Sequence, residues 1–155
     1  MTEPQNETNA PTFRMQKMYI KDLSFESPNA PKIFLGQPQE PKVDFNLQLH
    51  TQKLDEQHFE VTIAITAKVL ANRSEEESIL FIVELEHAAI FLLKNIPQEH
   101  LQRVLAVDCP MMLFPYTRQI VSQVSVDGGF MPFLMEPINF IALYENASKK
   151  KEKKQ

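Results

Sequence analysis

Between residues 42 and 86, apolar and polar side chains change places at almost every step. Val43, Phe45, Leu47 and Leu49 alternate with Lys42, Asp44, Asn46, Gln48 and His50. Phe59, Val61, Ile63, Ile65, Ala67 and Val69 then alternate with Glu60, Thr62, Ala64, Thr66 and Lys68. A third run places Ile79, Phe81, Val83 and Leu85 on one side and Leu80, Ile82, Glu84 and Glu86 on the other. A period of two describes a strand with one covered face and one wet face. The connections, 51–57 and 71–78, are polar and too short for crossover helices, so neighbouring strands must run antiparallel. Such a sheet needs a cover for its apolar side, and the cover must come from later in the chain.

Upstream, residues 13–26 read as a first strand. Its second half sets Asp22, Ser24 and Glu26 on one face and Tyr19, Leu23 and Phe25 on the other. Residues 27–41 hold Pro28, Pro31, Pro38 and Pro41 with Gly36, which excludes regular structure and predicts a long crossover loop. That loop carries Ile33, Phe34 and Leu35, which must pack or bind something.

Downstream of Ile96 the spacing becomes helical. Pro97 suits a first helical position, followed by Leu101, Val104 and Leu105. Pro110 opens a second segment running to about Val126, with Pro115 inside it and Gly128-Gly129 as its stop. Residues 130–135 (Phe-Met-Pro-Phe-Leu-Met) form an apolar linker, and a last helix starts near Pro137. Four strands followed by helices give an α+β fold: a four-stranded antiparallel sheet with the C-terminal helices packed on one face. The expected organisation is a disordered tail over 1–12, a single domain over 13–147 and a Lys-rich disordered tail over 148–155.

The net charge of −4 is unevenly placed. Residues 149–154 carry +4, so the remainder carries −8. An acidic body argues against nucleic acid, which needs clustered Lys and Arg, and favours a basic partner. No apolar run approaches the ~18–20 residues of a membrane span. The first twelve residues lack the basic-then-apolar pattern of a secretory signal. With a single cysteine this predicts a protein of the reducing cytoplasm.

Catalytic and metal chemistry find no support. Cys109 precedes Pro110 at a helix start, where the helix dipole could lower its pKa, yet no local motif ties it to His87 or His100, so it reads as structural. The four histidines, at 50, 58, 87 and 100, show no metal-ligand spacing. The three glycines form no phosphate loop. No cofactor, no metal and no enzymatic activity are expected. The remaining surplus is apolar: Phe34, the 130–135 linker, Tyr144 and seven methionines, a composition suited to promiscuous binding.

Two strings carry a resemblance. Tyr19-Ile20-Lys21-Asp22-Leu23-Ser24-Phe25-Glu26-Ser27-Pro28-Asn29-Ala30-Pro31 is similar to the N-terminal signature of SecB, the bacterial protein-export chaperone family. Cys109-Pro110-Met111-Met112-Leu113-Phe114-Pro115-Tyr116-Thr117-Arg118, followed by Pro137-Ile138-Asn139-Phe140, resembles a second family block. The likeness spans roughly residues 13–146. It implies a homotetramer, as a dimer of dimers, that holds unfolded precursors without ATP and delivers them to the SecA ATPase. It implies a SecA contact at Asp22, Glu26, Ile82 and Glu84. It implies a precursor groove along Ile33, Phe34, Phe140 and Tyr144, with Met131, Phe133 and Leu134 of the linker nearby.

Three departures from the family pattern stand out. The chain has no tryptophan, and its crossover loop reads Gly36-Gln37-Pro38-Gln39 where well-known members carry one. Ala88-Ala89 stands where the family often has a Gly-Gly bulge. The C-terminus is short and Lys-rich. These changes keep a second reading open: a SecB-like chaperone dedicated to one client, such as an antitoxin.

Overall fold

The computed structural model describes residues 9–36, 40–71 and 78–153. Most of the expected N-terminal tail, the turn at 72–77, Gln37-Pro38-Gln39 of the crossover and the last two residues lie outside that set. Four strands, β1 (Thr12–Glu26), β2 (Pro41–Lys53), β3 (His58–Ala71) and β4 (Ser78–Lys94), form one antiparallel sheet in the order β1-β4-β3-β2. Helices α1 (Gln98–Arg103), α2 (Cys109–Asp127) and α3 (Phe140–Lys153) follow, so the α+β expectation holds. The crossover loop contains one short 3-10 turn, Lys32–Leu35.

The core lies between the sheet and α2. Val61, Ile63 and Ile65 of β3 meet Val83, Leu85 and Phe91 of β4 on the side that faces Leu113 and Val121 of α2. Strand β4 runs on to Lys94, eight residues past Glu86, where the alternation stops. The period of two fades there because both faces are covered. His87, Ala89, Phe91 and Leu93 point to the core, while Ala88, on the opposite face, is also buried.

The helical layer departs from the expected two segments. Arg103 and Cys109 are joined by a π turn, Val104–Asp108, in which the Cys109 N–H reaches the Val104 carbonyl. The widened turn falls directly before Pro110, which has no N–H to donate, so one helix continues through the proline instead of restarting at it. Pro115 is likewise carried inside α2. The last helix begins at Phe140, not near Pro137, because Asn139 caps it: its Oδ1 accepts from the Ala142 N–H at 3.0 Å. It continues past 147 to Lys153.

Cys109 is fully buried, and burial pushes its thiol up rather than down, which opposes nucleophilic use. His87 is 1 % exposed and links β4 to α2, with Nδ1 2.7 Å from the Thr117 hydroxyl. Burial holds its imidazole below the ordinary value of 6.5. The unfolded chain therefore takes up this proton first on acidification. Stability from His87 is complete above about pH 6.5 and falls as pH drops below it, by up to about 1.4 kcal/mol per pH unit. Urea unfolding of His87→Gln should show a flatter decline below pH 6.5 than the parent; an unchanged decline would place the acid sensitivity elsewhere.

Candidate functional site

Two surfaces on opposite faces of the sheet stand out. The first is the outer, helix-free face. Here Asp22 of β1 pairs with Glu86 of β4, Ser24 with Glu84, and Glu26 with Ile82. Asp22, Glu26, Ile82 and Glu84 thus sit together on one wet face. Glu86, which the resemblance does not name, completes them. Like charges directly opposite across strands are unfavourable. Among the described residues none of these four carboxylates enters a salt bridge. The face carries these carboxylates around the apolar Ile82, with Lys68 of β3 directly opposite Ile82. Farther along it, Asn46, Gln48, His50 and Thr66 continue a shallow polar depression.

Tyr19 lies on this outer face and not with Leu23 and Phe25 as the simple alternation predicts. The register of β1 against β4 slips between Met15 and Lys17 and again between Ile20 and Asp22. Each slip is a bulge, and each inverts the alternation. The apolar positions announce it: Phe13, Met15, Met18, Ile20, Leu23 and Phe25 are spaced two, three, two, three and two residues apart. A further shift lies in the β3–β4 ladder, where Val69 pairs with Phe81 and Leu70 with Ile79, so Leu80 is skipped and Ile79 leaves the face expected for it with Phe81. At Ala88-Ala89, β3 and β4 pair without a shift.

The second surface is aromatic and lies where α2 ends. Gly129 adopts φ 92°, and the Gly128, Gly129 and Phe130 amides close onto the Val124, Val126 and Ser125 carbonyls. Buried Ser125 then accepts the Phe133 amide at 2.9 Å, which turns the linker back over the sheet. Phe130 meets Phe81 at 4.9 Å and Phe34 of the crossover loop at 5.1 Å. Phe25 stacks on Phe81 at 5.5 Å, and Phe133 stands edge-on to Phe81 at 6.3 Å. Around this cluster Leu35, Met131 and Leu134 are 88 %, 85 % and 73 % exposed.

The groove residues named from the sequence separate into groups. Phe34 and Phe133 enter the cluster, and Met131 and Leu134 stand exposed on its linker. Ile33 lines a different recess, with Pro28, Leu35 and Ser78. Phe140 is only 2 % exposed and packs edge-on against Phe114 at 5.6 Å, so its ring serves the core instead of an open groove. Tyr144 is half-buried against that same core. Strand periodicity marks Phe25 and Phe81 only as inward strand residues. Their place in the cluster depends on the linker, which strand periodicity cannot report.

A side chain on Gly128 would run into the Phe25 ring. Gly128→Ala should therefore cost about 1–3 kcal/mol through overpacking and loosen the Phe25–Phe81 stack. Chemical denaturation reads the first effect, and the near-UV circular dichroism of the aromatic side chains reads the second. Parent-like values for both would show that the ring moves aside freely.

Among the described residues no cluster could hold a metal ion, and no helix is long and apolar enough to cross a membrane. A sheet with one acidic face, and an exposed aromatic surface beside its helical layer, is suited to docking and chain binding. Comparison with known proteins gives the family. Residues 6–151 match the family model for SecB, preprotein translocase subunit SecB. The chain is 63 % identical over 142 residues to the protein-export protein SecB of Desulfotalea psychrophila, covering 92 % of this chain and 90 % of that one. It is 43 % identical to the protein-export protein SecB of Magnetococcus marinus, covering 99 % and 95 %. A solved SecB-like chaperone of Mycobacterium tuberculosis, in complex with a peptide from an antitoxin, shares the fold with a TM-score of 0.64 at 17 % identity, over 82 % of this chain and 91 % of that one. The chain belongs to the SecB family of protein-export chaperones.

Proposed function

We propose that this protein is an ATP-independent holdase of the cytoplasm. It keeps unfolded precursors translocation-competent and delivers them to SecA. The observation that carries this reading is the division of surfaces. The exposed Phe34, Leu35, Met131 and Leu134, backed by the half-buried Phe130 and Phe133 on the buried Phe81, offer large, geometrically tolerant contacts to an unfolded chain. The unpaired carboxylates lie on the opposite face, where a basic partner can engage without displacing the cargo. Burial of many apolar side chains, at roughly 25 cal/mol per Å² before ordering costs, gives affinity with little sequence preference. The docking contacts are Asp22, Glu26, Ile82 and Glu84. The working form is a homotetramer, and no catalytic step is involved.

A dedicated antitoxin chaperone is the second reading. A solved structure of the same fold is in complex with a peptide from an antitoxin. The 63 % identity to an export SecB, against 17 % to that chaperone, favours export. The test is suppression of aggregation of a slow-folding, signal-bearing precursor without ATP, with and without SecA. Stoichiometric protection that SecA relieves is the expected result. Protection that SecA leaves intact would transfer the chain to the dedicated class, and no protection would end the holdase reading.

A further inference from the structure

The carboxylates at 22 and 26 reach the outer face only because β1 carries an extra residue at Lys21. Ile20 pairs with His87 and Asp22 with Glu86, so Lys21 has no partner of its own in β4. Inserting one residue inverts every later side chain. Without it, Leu23 and Phe25 would face water, and Asp22, Ser24 and Glu26 would face α2.

What sits at the bulge is a three-strand contact. The Tyr19 hydroxyl donates to Glu60 Oε2 at 2.5 Å, and the Lys21 ammonium donates to Glu60 Oε1 at 3.0 Å. Glu60 belongs to β3, so both side chains cross β4 to reach it. Tyr19 pairs directly with Ala88, whose outer-face methyl is fully buried. A small residue there leaves room for a ring to pass over the strand. Tyr19 lies just before the slip and Lys21 is the inserted residue, and one carboxylate holds both. The Glu60 side chain is only 13 % exposed, so the pair is better shielded than an open surface bridge. Burial, reinforced by the bond to Glu60, pushes the Tyr19 phenol up to about 12, while the Tyr19 hydrogen bond, with Lys21, holds the Glu60 carboxyl below its ordinary range.

We propose that Tyr19, Lys21 and Glu60 are positioning residues that pin the β1 bulge at Lys21 and thereby hold Asp22 outward beside Glu86 for the docking partner. The proposal rests on the reading of that face as the SecA contact, and it makes a prediction that charge alone opposes. Lys21→Met removes a positive charge next to an acidic docking face. Simple electrostatics would then tighten binding of a basic partner. A slackened bulge weakens it.

The test uses the full-length chain with Lys21→Met, Tyr19→Phe and Lys21→Arg, and SecA as the binding partner. NMR cross-strand contacts between residues 22 and 86 report the register, and aggregation suppression reports the holding surface. The expected result for Lys21→Met and for the charge-neutral Tyr19→Phe is loss of the 22–86 contact and a drop in SecA affinity of roughly fivefold or more, the scale of a misplaced charged contact. Holding stays intact, and Lys21→Arg restores both readouts. Tighter SecA binding by Lys21→Met, or an unchanged 22–86 contact in both variants, overturns the proposal. Loss of the contact with unchanged SecA affinity upholds the clamp and rejects the docking assignment instead.

Discussion

Phe91→Ala should remove about 3–5 kcal/mol of unfolding free energy, the usual range for emptying a buried aromatic site. Phe91 is fully buried near the end of the long β4. Its partners across the strands are Phe59 of β3 and Met15 of β1, and the Phe13 ring lies 5.6 Å away. One ring therefore joins three strands in a segment that extends beyond the reach of the period-two pattern. Truncation leaves a cavity that three hydrogen-bonded strands cannot collapse to fill. Urea or guanidinium unfolding followed by far-UV circular dichroism measures the loss. Should the alanine variant fail to fold, Phe91→Leu offers a milder version with a loss of about 1 kcal/mol. A change under 1 kcal/mol for Phe91→Ala would mean that this end of the sheet adds little to stability.

Reversing two charges on the outer face should have the largest functional effect. Asp22→Lys with Glu84→Lys should weaken SecA binding roughly a hundredfold or more at low salt, because like charges facing each other across an interface cost several kcal/mol. The deficit should shrink as salt rises and screens the exposed charges. Protection of unfolded precursor should persist, since the aromatic cluster lies on the other side of the sheet. The fold should not suffer. Asp22 directly opposes Glu86, and a lysine there turns a repulsive cross-strand pair into an attractive one worth ~0.2–1 kcal/mol. Lost docking with equal or higher stability is a signature that misfolding cannot imitate. Full SecA binding by the double variant would remove the face from the docking role.

How far the sequence could be read depends on whether a side chain's surroundings are local. The alternation over 42–50 and 59–69 gave β2 and β3, although in the edge strand β2 only Leu47 and Leu49 pack against the core while Val43 and Phe45 stay exposed. The same rule put Glu84 with Ile82 correctly and misplaced Tyr19. Alternation counts residues, and a bulge adds one without changing their character. The spacing from Ile20 to Leu23 held the clue. Beyond Glu86 the signal vanished, because Ala88 is buried beneath Tyr19 while Ala89 is buried beneath the helical layer. The start of α3 was missed by three residues. Pro137 allows a helix to begin, but the side chain of Asn139 fixes where it does.

By itself the sequence determined the α+β order, the antiparallel sheet, the acidic character of its wet face and the family to which the chain belongs. These follow from pattern, charge and signature strings, all of which are properties of neighbouring residues. Only the tertiary structure decided the rest. It placed β4 between β1 and β3, brought Glu60 within reach of Tyr19 and Lys21, added Glu86 to the acidic face, gathered Phe25, Phe81 and Phe130 around Phe34, and withdrew Phe140 into the core. Each of these joins residues distant in the chain, and such partners are chosen by the packing of whole elements, which no local period encodes.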